Sequence, residues 1–205
     1  MTAGTAELVR AAERVYENDF QKLAVGPAPE EFLVLEGDFT VKQDGDNKFL
    51  ELPGAPLDTF GVLFGPTEKE GLAVAAHIFG TGKGRRFPTF AVGLSGGGGY
   101  KLQVSPAKKL VEIYRGDAVK TTVPFEWESG KWTLLKLQVE KLKSGAWKVS
   151  GKVWNAGQSE PANPTIVFED KEEPLSGRAS IWGSPYSGTP LRFDDLVVSR
   201  AGSKP

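Results

Sequence analysis

KWTLLKLQVEK, residues 131–141, alternates: Thr133, Leu135, Leu137 and Val139 fall on one side of an extended chain, and Leu134, Lys136, Gln138 and Glu140 on the other. A period of two marks a β-strand with one face on a core and the other mostly in solvent. The neighbouring stretch AWKVSGKVW (146–154) repeats the pattern. Trp147, Val149 and Val153 share a face, opposite Lys148, Ser150, Lys152 and Trp154.

Outward from these two strands the same rhythm continues. From Phe20 onward the chain is a series of short runs rich in Val, Leu, Phe, Trp and Thr, punctuated by Gly, Pro and Asp-Gly. Such spacing predicts an antiparallel sandwich or barrel. GDFTVKQ (37–43) and KFLELP (48–53) flank DGDN, whose Asp-Gly step suits a tight hairpin. FGVLFG (60–65) and GLAVAAHIFG (71–80) are apolar on both faces and read as central strands. FAVGLSG and YKLQVSP flank the glycines 96–99, and KLVEIYRG pairs with KTTVPFEW. In GRASIWG (177–183), Ala179 and Ile181 point one way and Arg178, Ser180 and Trp182 the other. Trp154 and Trp182 therefore both stand on polar faces, where a flat apolar ring has no evident packing partner.

One helix is expected. TAELVRAAERVYE (5–17) spaces Leu8, Val9, Ala12, Val15 and Tyr16 helically behind a Thr5 N-cap. The organisation read from the chain is a helical segment over 1–13, one sandwich domain over 14–200, and a disordered tail over 201–205.

Composition narrows the function classes. The chain has 205 residues, 40% of them hydrophobic, enough for one buried core. A formal charge of -1 provides no field for nucleic acid or an anionic membrane. There is no apolar run of ~18 residues to span a bilayer. MTAGTAELVR lacks the apolar core of a signal peptide, so the expectation is a secreted or periplasmic protein expressed without its leader, a cytoplasmic location being also compatible. Cysteine is absent, which removes disulfides, thiolate metal sites and a Cys nucleophile. His77 is the only histidine, and its apolar surroundings suit a core or strand-surface position.

The chemical motifs are few. Gly93-Leu94-Ser95-Gly96-Gly97 has G-x-S-x-G spacing, but a nucleophile elbow needs a helix after the serine, and the exit reads as a strand. GTGKGRR (80–86) fits neither phosphate-loop pattern and reads as a basic loop able to contact a ligand. Glu126 and Glu128 sit at strand spacing for two carboxylates on one side, roughly 7 Å apart, nominally an acid–base pair. Alternation sends one of Asp194 and Asp195 toward the face of Leu196 and Val198. There it needs a hydrogen-bond partner or a cation, and calcium, with Asp19 or Asp38 as further ligands, is one reading.

GDFTV (37–41) with NKFLEL (47–52), KWTLLKLQV, GKVWNAGQSEP (151–161) and above all GRASIWGSPYSGTPLRFDDLVV (177–198) together resemble concanavalin A-like sandwich domains over residues 14 to 200. The nearest resemblance is to the bacterial laminin-G-like and three-keto-disaccharide-hydrolase-like group. It implies an all-β, two-sheet antiparallel jelly roll, carbohydrate bound on the concave face, and in many members a structural calcium near the final strand. Asp194 and Asp195 match that acidic strand, and Trp182 matches the aromatic in the strand before it. The Glu-x-Asp-x-x-Glu signature of family-sixteen glucanases is missing.

The expectation is a noncatalytic glycan-binding or adhesion module. Trp154 and Trp182 would be its stacking platforms, with Arg178, Lys152 and Tyr186 bonding hydroxyls. A glycoside or keto-sugar hydrolase using Glu126 and Glu128 is the rival. An interaction domain docking through its N-terminal helix is the third reading, and the oligomeric state stays open.

Overall fold

The computed structural model describes residues 13–55, 58–69, 71–186 and 188–200. In chain order the strands are β1 (Arg14–Asn18), β2 (Gly26–Pro27), β3 (Leu33–Glu36), β4 (Thr40–Asp44), β5 (Asn47–Leu52) and β6 (Phe60–Glu68). Next come β7 (Leu72–Phe79), β8 (Thr89–Leu94), β9 (Tyr100–Ser105), β10 (Leu110–Arg115) and β11 (Ala118–Pro124). The last five are β12 (Trp132–Lys141), β13 (Trp147–Asn155), β14 (Ile166–Asp170), β15 (Gly177–Ser184) and β16 (Leu191–Arg200).

They form a two-sheet antiparallel sandwich. The nine-stranded sheet runs β14-β13-β12-β7-β16-β5-β4-β2, with β1 also paired to β16. The seven-stranded sheet runs β11-β10-β9-β8-β15-β6-β3. Alternation decides what lies between them. Leu135, Leu137, Val139, Val149, Val74 and Ile78 face inward from the larger sheet, against Phe90, Val92, Leu102, Val104, Ile113 and Ile181 of the smaller. Gly151 permits a close approach. A Cβ there would meet Leu102 Cδ1 at 2.4 Å, so any larger residue pushes the sheets apart.

At one edge a polar latch joins the sheets. Asp170, ending β14, accepts Tyr100 Oη–H (2.8 Å) from β9 and Arg115 Nη1–H (2.7 Å) from β10. Burial pushes the Asp170 carboxyl up, yet the Glu172 backbone N–H, Tyr100 and Arg115 together hold it below the usual range. Burial, with the hydrogen bond to Asp170, raises the Tyr100 hydroxyl well above its ordinary value.

The N-terminal expectation is corrected in part. Arg14–Asn18 is a strand, pairing with β16, and the Tyr16 ring lies 5.4 Å from Phe64. Helical spacing at Val15 and Tyr16 is overridden by the open edge of β16, which supplies backbone partners along one side of the segment. Thr5, Leu8, Val9, Ala12 and the tail 201–205 lie outside the described residues. Among those described, no helix is long and apolar enough to cross a membrane.

Candidate functional site

The outer face of the seven-stranded sheet is built around Trp182. Directly opposite it stand Gly61 on β6 and Ala91 on β8, and beyond Ala91 come Gln103 on β9 and Glu112 on β10. The small residues let the indole lie down on the sheet. A Cβ on Gly61 would come within 2.5 Å of the ring, and Nε1–H donates to Ser180 Oγ at 2.8 Å. Lys101 Nζ stands 5.0 Å from the Trp182 ring centre and 5.7 Å from that of Tyr114. Burial lowers the Lys101 pKa, with Asp117 acting against it.

Beside these residues on the same face, Glu112 is almost fully buried and accepts from Ser105 Oγ (2.5 Å), Lys108 Nζ (3.1 Å), Gln103 Nε2 (3.3 Å) and Tyr114 Oη (3.3 Å). Burial pushes its carboxyl up, but the Ser105, Lys108 and Tyr114 contacts win and keep it ionised. The effect is positional: Gln103 and Tyr114 are held toward the groove. That groove has a volume of about 440 Å³, with Trp182, Lys101, Gln103, Tyr114, Asp117 and Ser184 in its lining. A second hollow of about 230 Å³ shares Thr59, Thr89 and Ser184 with it and carries on to Phe87 and Tyr186. Aromatic rings therefore stand at both ends of one continuous depression.

The outer face of the nine-stranded sheet is different. Trp154, Leu134 and His77 stand directly opposite one another across β13, β12 and β7, with Asp194 next on β16. β16 advances from Asp194 to Val197 while β7 moves only from His77 to Ala75, so one extra residue bulges out. Asp195, at φ 48°, is that residue, and His77 Nδ1–H donates to its Oδ2 at 2.9 Å. The same point is where the partner of β16 changes from β5 to β1. A groove of about 540 Å³ runs here, over Ala75 and Val197 and past Trp154. On its flank Glu160 is pinned by Lys136 (3.1 Å) and Lys152 (2.7 Å). Nearby, Arg192 lies over Phe49 at 4.5 Å and Phe79 at 5.5 Å.

The structure separates the residues singled out from the sequence. Trp154 and Trp182 project from different sheets, to opposite sides of the sandwich, and are not one platform. Lys152 accompanies Trp154. Tyr186 reaches the far end of the Trp182 groove. Arg178 is drawn away as a structural tie, Nε donating to Gly65 O (2.8 Å) and Nη2 to Glu31 O (2.7 Å). Glu126 and Glu128 are exposed in the segment after β11 and do not form a pair: Glu126 meets Lys109, while Glu128 meets Lys131 and Asn155. Ser95 sits at φ 69° in a turn that leads into β9, a hairpin and not an elbow. The loop at 80–86 closes on itself through Lys83 and Arg86.

The residues named for calcium do not fit it. The bulge turns Asp194 away from the core, where alternation had sent it, and its oxygens accept Asn47 Nδ2–H (2.9 Å) and the Asp195 N–H (2.8 Å). Asp195 serves His77, and Asp19 Oδ1 accepts the Gln21 N–H. Asp38, the other residue considered, joins no such cluster: among the described residues no three acidic or histidine side chains are arranged to hold a metal ion. Burial raises the Asp194 pKa, whereas the His77 hydrogen bond lowers that of Asp195.

Sequence reasoning missed Lys101, Gln103, Tyr114, Asp117 and Ser184. Alternation in YKLQVS does put Lys101 and Gln103 outward. Only the strand order β9-β8-β15 brings them beside Trp182.

No protein-family model and no curated protein matches the chain. Solved structures match its fold. The carbohydrate binding module CBM66 from Bacillus subtilis is 13% identical with a TM-score of 0.57, covering 82% of this chain and 95% of that one. A galectin-like protein of unknown function from Bacillus subtilis is 11% identical with a TM-score of 0.63, covering 92% and 96%. The catalytic domain of a glycoside hydrolase family 131 protein from Coprinopsis cinerea is 8% identical with a TM-score of 0.60, covering 94% and 96%. Likeness at this identity establishes the lectin- and glucanase-type sandwich fold, which hosts binding and catalysis alike.

Proposed function

We propose that this protein is a noncatalytic carbohydrate-binding module whose site is the Trp182 groove of the seven-stranded sheet. One observation carries the reading. A partly exposed indole lies over Gly61 and is ringed by hydrogen-bonding side chains, of which Gln103 and Tyr114 are held by the Glu112 carboxylate on the same face. A sugar offers a C–H face that suits such a ring and hydroxyls that suit Gln103, Asp117, Ser184 and Tyr186. The sandwich shared with a carbohydrate binding module and a galectin-like protein is consistent with this use. A glycan ligand also goes with a location outside the cytoplasm.

The hydrolase reading is less favoured, since Glu126 and Glu128 are exposed and each is engaged by a different lysine. The test is calorimetry and tryptophan fluorescence against β-glucan, xylan and fructan oligomers and mucin O-glycans. Trp182→Ala is expected to weaken binding tenfold or more, equivalent to about 1.4 kcal/mol. Unchanged affinity in that variant would sink the assignment.

A further inference from the structure

We propose that the groove past Trp154 on the nine-stranded sheet is a second saccharide site facing away from the first, so that one molecule holds two glycan strands at once. This rests on the glycan reading of the Trp182 groove. The volume of about 540 Å³ matches that of small-ligand clefts.

Its floor exists because β7 presents only Ala75 outward between Lys136 and Val197, directly opposite on either side. The Trp154 ring stands at one wall, half-buried, in the row of Leu134 and His77. Its polar groups are fixed before a ligand arrives. His77 is oriented by Asp195, and Lys136 and Lys152 share Glu160. An imidazole whose Nδ1–H is already committed presents Nε2 to a hydroxyl in one orientation, which reduces the entropy lost on binding.

The backbone supports the same point. Asp195 is a non-glycine residue in the left-handed region, and its bulge places the carboxylate under His77. Strain of this kind collects where a side chain must be aimed. The two rings lie outside a pair of sheets stacked roughly 10 Å apart, each beyond its own sheet. A single sugar ring cannot touch both, and the sites are separate.

The test uses the oligomers that bind the whole protein. Calorimetry is expected to give two sites per chain, with Trp154→Ala and, separately, His77→Ala each leaving one site of unchanged affinity. Trp182→Ala is expected to remove the other. Mixing with a long polysaccharide should produce cross-linked precipitate, lost in either tryptophan variant. Unchanged melting temperatures confirm that each variant is folded. One site per chain, abolished by Trp182→Ala and indifferent to Trp154→Ala, overturns this proposal and leaves the Trp182 site standing. One site sensitive only to Trp154→Ala overturns the Trp182 assignment and the two-site proposal together. Silence across the oligomers overturns both.

Discussion

The two outer faces of the sandwich each carry one tryptophan on a polar background, but they are ordered by different means. The Trp182 face is organised by burial: Glu112, only 3% exposed at its side chain, bonds four neighbours on that face. The Trp154 face is organised by charge near water, with His77 and Asp195 at 36% and 48% exposure and Glu160 between two lysines. Pairs of the first kind survive salt and resist rearrangement, while exposed pairs are screened and contribute little. Equal-looking residue patterns thus produce a groove ordered by a buried carboxylate on one side and one ordered by ion pairs open to salt on the other.

The widest test of this contrast is to cut the latch between the sheets. Asp170→Ala leaves the buried Tyr100 hydroxyl without its acceptor and leaves Arg115 only the Glu172 carboxylate and the Glu172 and Glu173 carbonyls, and is expected to destabilise the fold by roughly 3 kcal/mol. That corresponds to a melting temperature lower by about 6–12 °C for a chain of this size. If the faces are independent, glycan binding measured well below the transition stays intact.

Gly61→Val acts on one face alone. Its side chain drives into the indole, and the misfit is expected to cost about 1–3 kcal/mol and to weaken binding at the Trp182 groove tenfold or more. Binding that depends on Trp154 should not change.

Acid sharpens the contrast. Glu112 and Asp195 both have pKa values held below normal, by Ser105, Lys108 and Tyr114 against burial in the first case and by the His77 hydrogen bond in the second. A depressed carboxyl stabilises the fold above its unfolded pKa of about 4, and that contribution disappears as pH falls through the folded value. Glu112→Gln should therefore flatten the fall in melting temperature between about pH 5 and about pH 3, whereas Asp195→Asn, at a half-exposed site, should barely alter it. An equal effect from both variants would contradict the distinction between the faces.

The smallest effect expected is from Asp195→Gly. Relief of the left-handed backbone and loss of an exposed pair nearly cancel, leaving stability within about 0.5 kcal/mol of the parent by denaturant titration.

The strands were legible in the sequence because inward positions such as Leu135, Val149 and Ile181 keep strict alternation, and all three are fully buried. The outward position of Trp154 and Trp182 was legible for the same reason. Their separation was not, since alternation is local and sheet order is a property of pairings across the chain. Asp194 was misplaced because a bulge inserts a residue and reverses parity beyond it. Arg178 looked available because nothing in GRASIWG reveals that Gly65 and Glu31 carbonyls lie within its reach.

The placement of β16 has a consequence for how the molecule is made. This strand sits inside the larger sheet, between β7 and the β5 and β1 edges, so the first and last described strands meet as neighbours. Contacts between residues so far apart in the chain close slowly. During synthesis, β7 and β5 must wait with unpaired backbone edges until the sixteenth strand emerges to fill the gap. That interval, not the finished sandwich, is where the protein is most open to mispairing and to the help of chaperones.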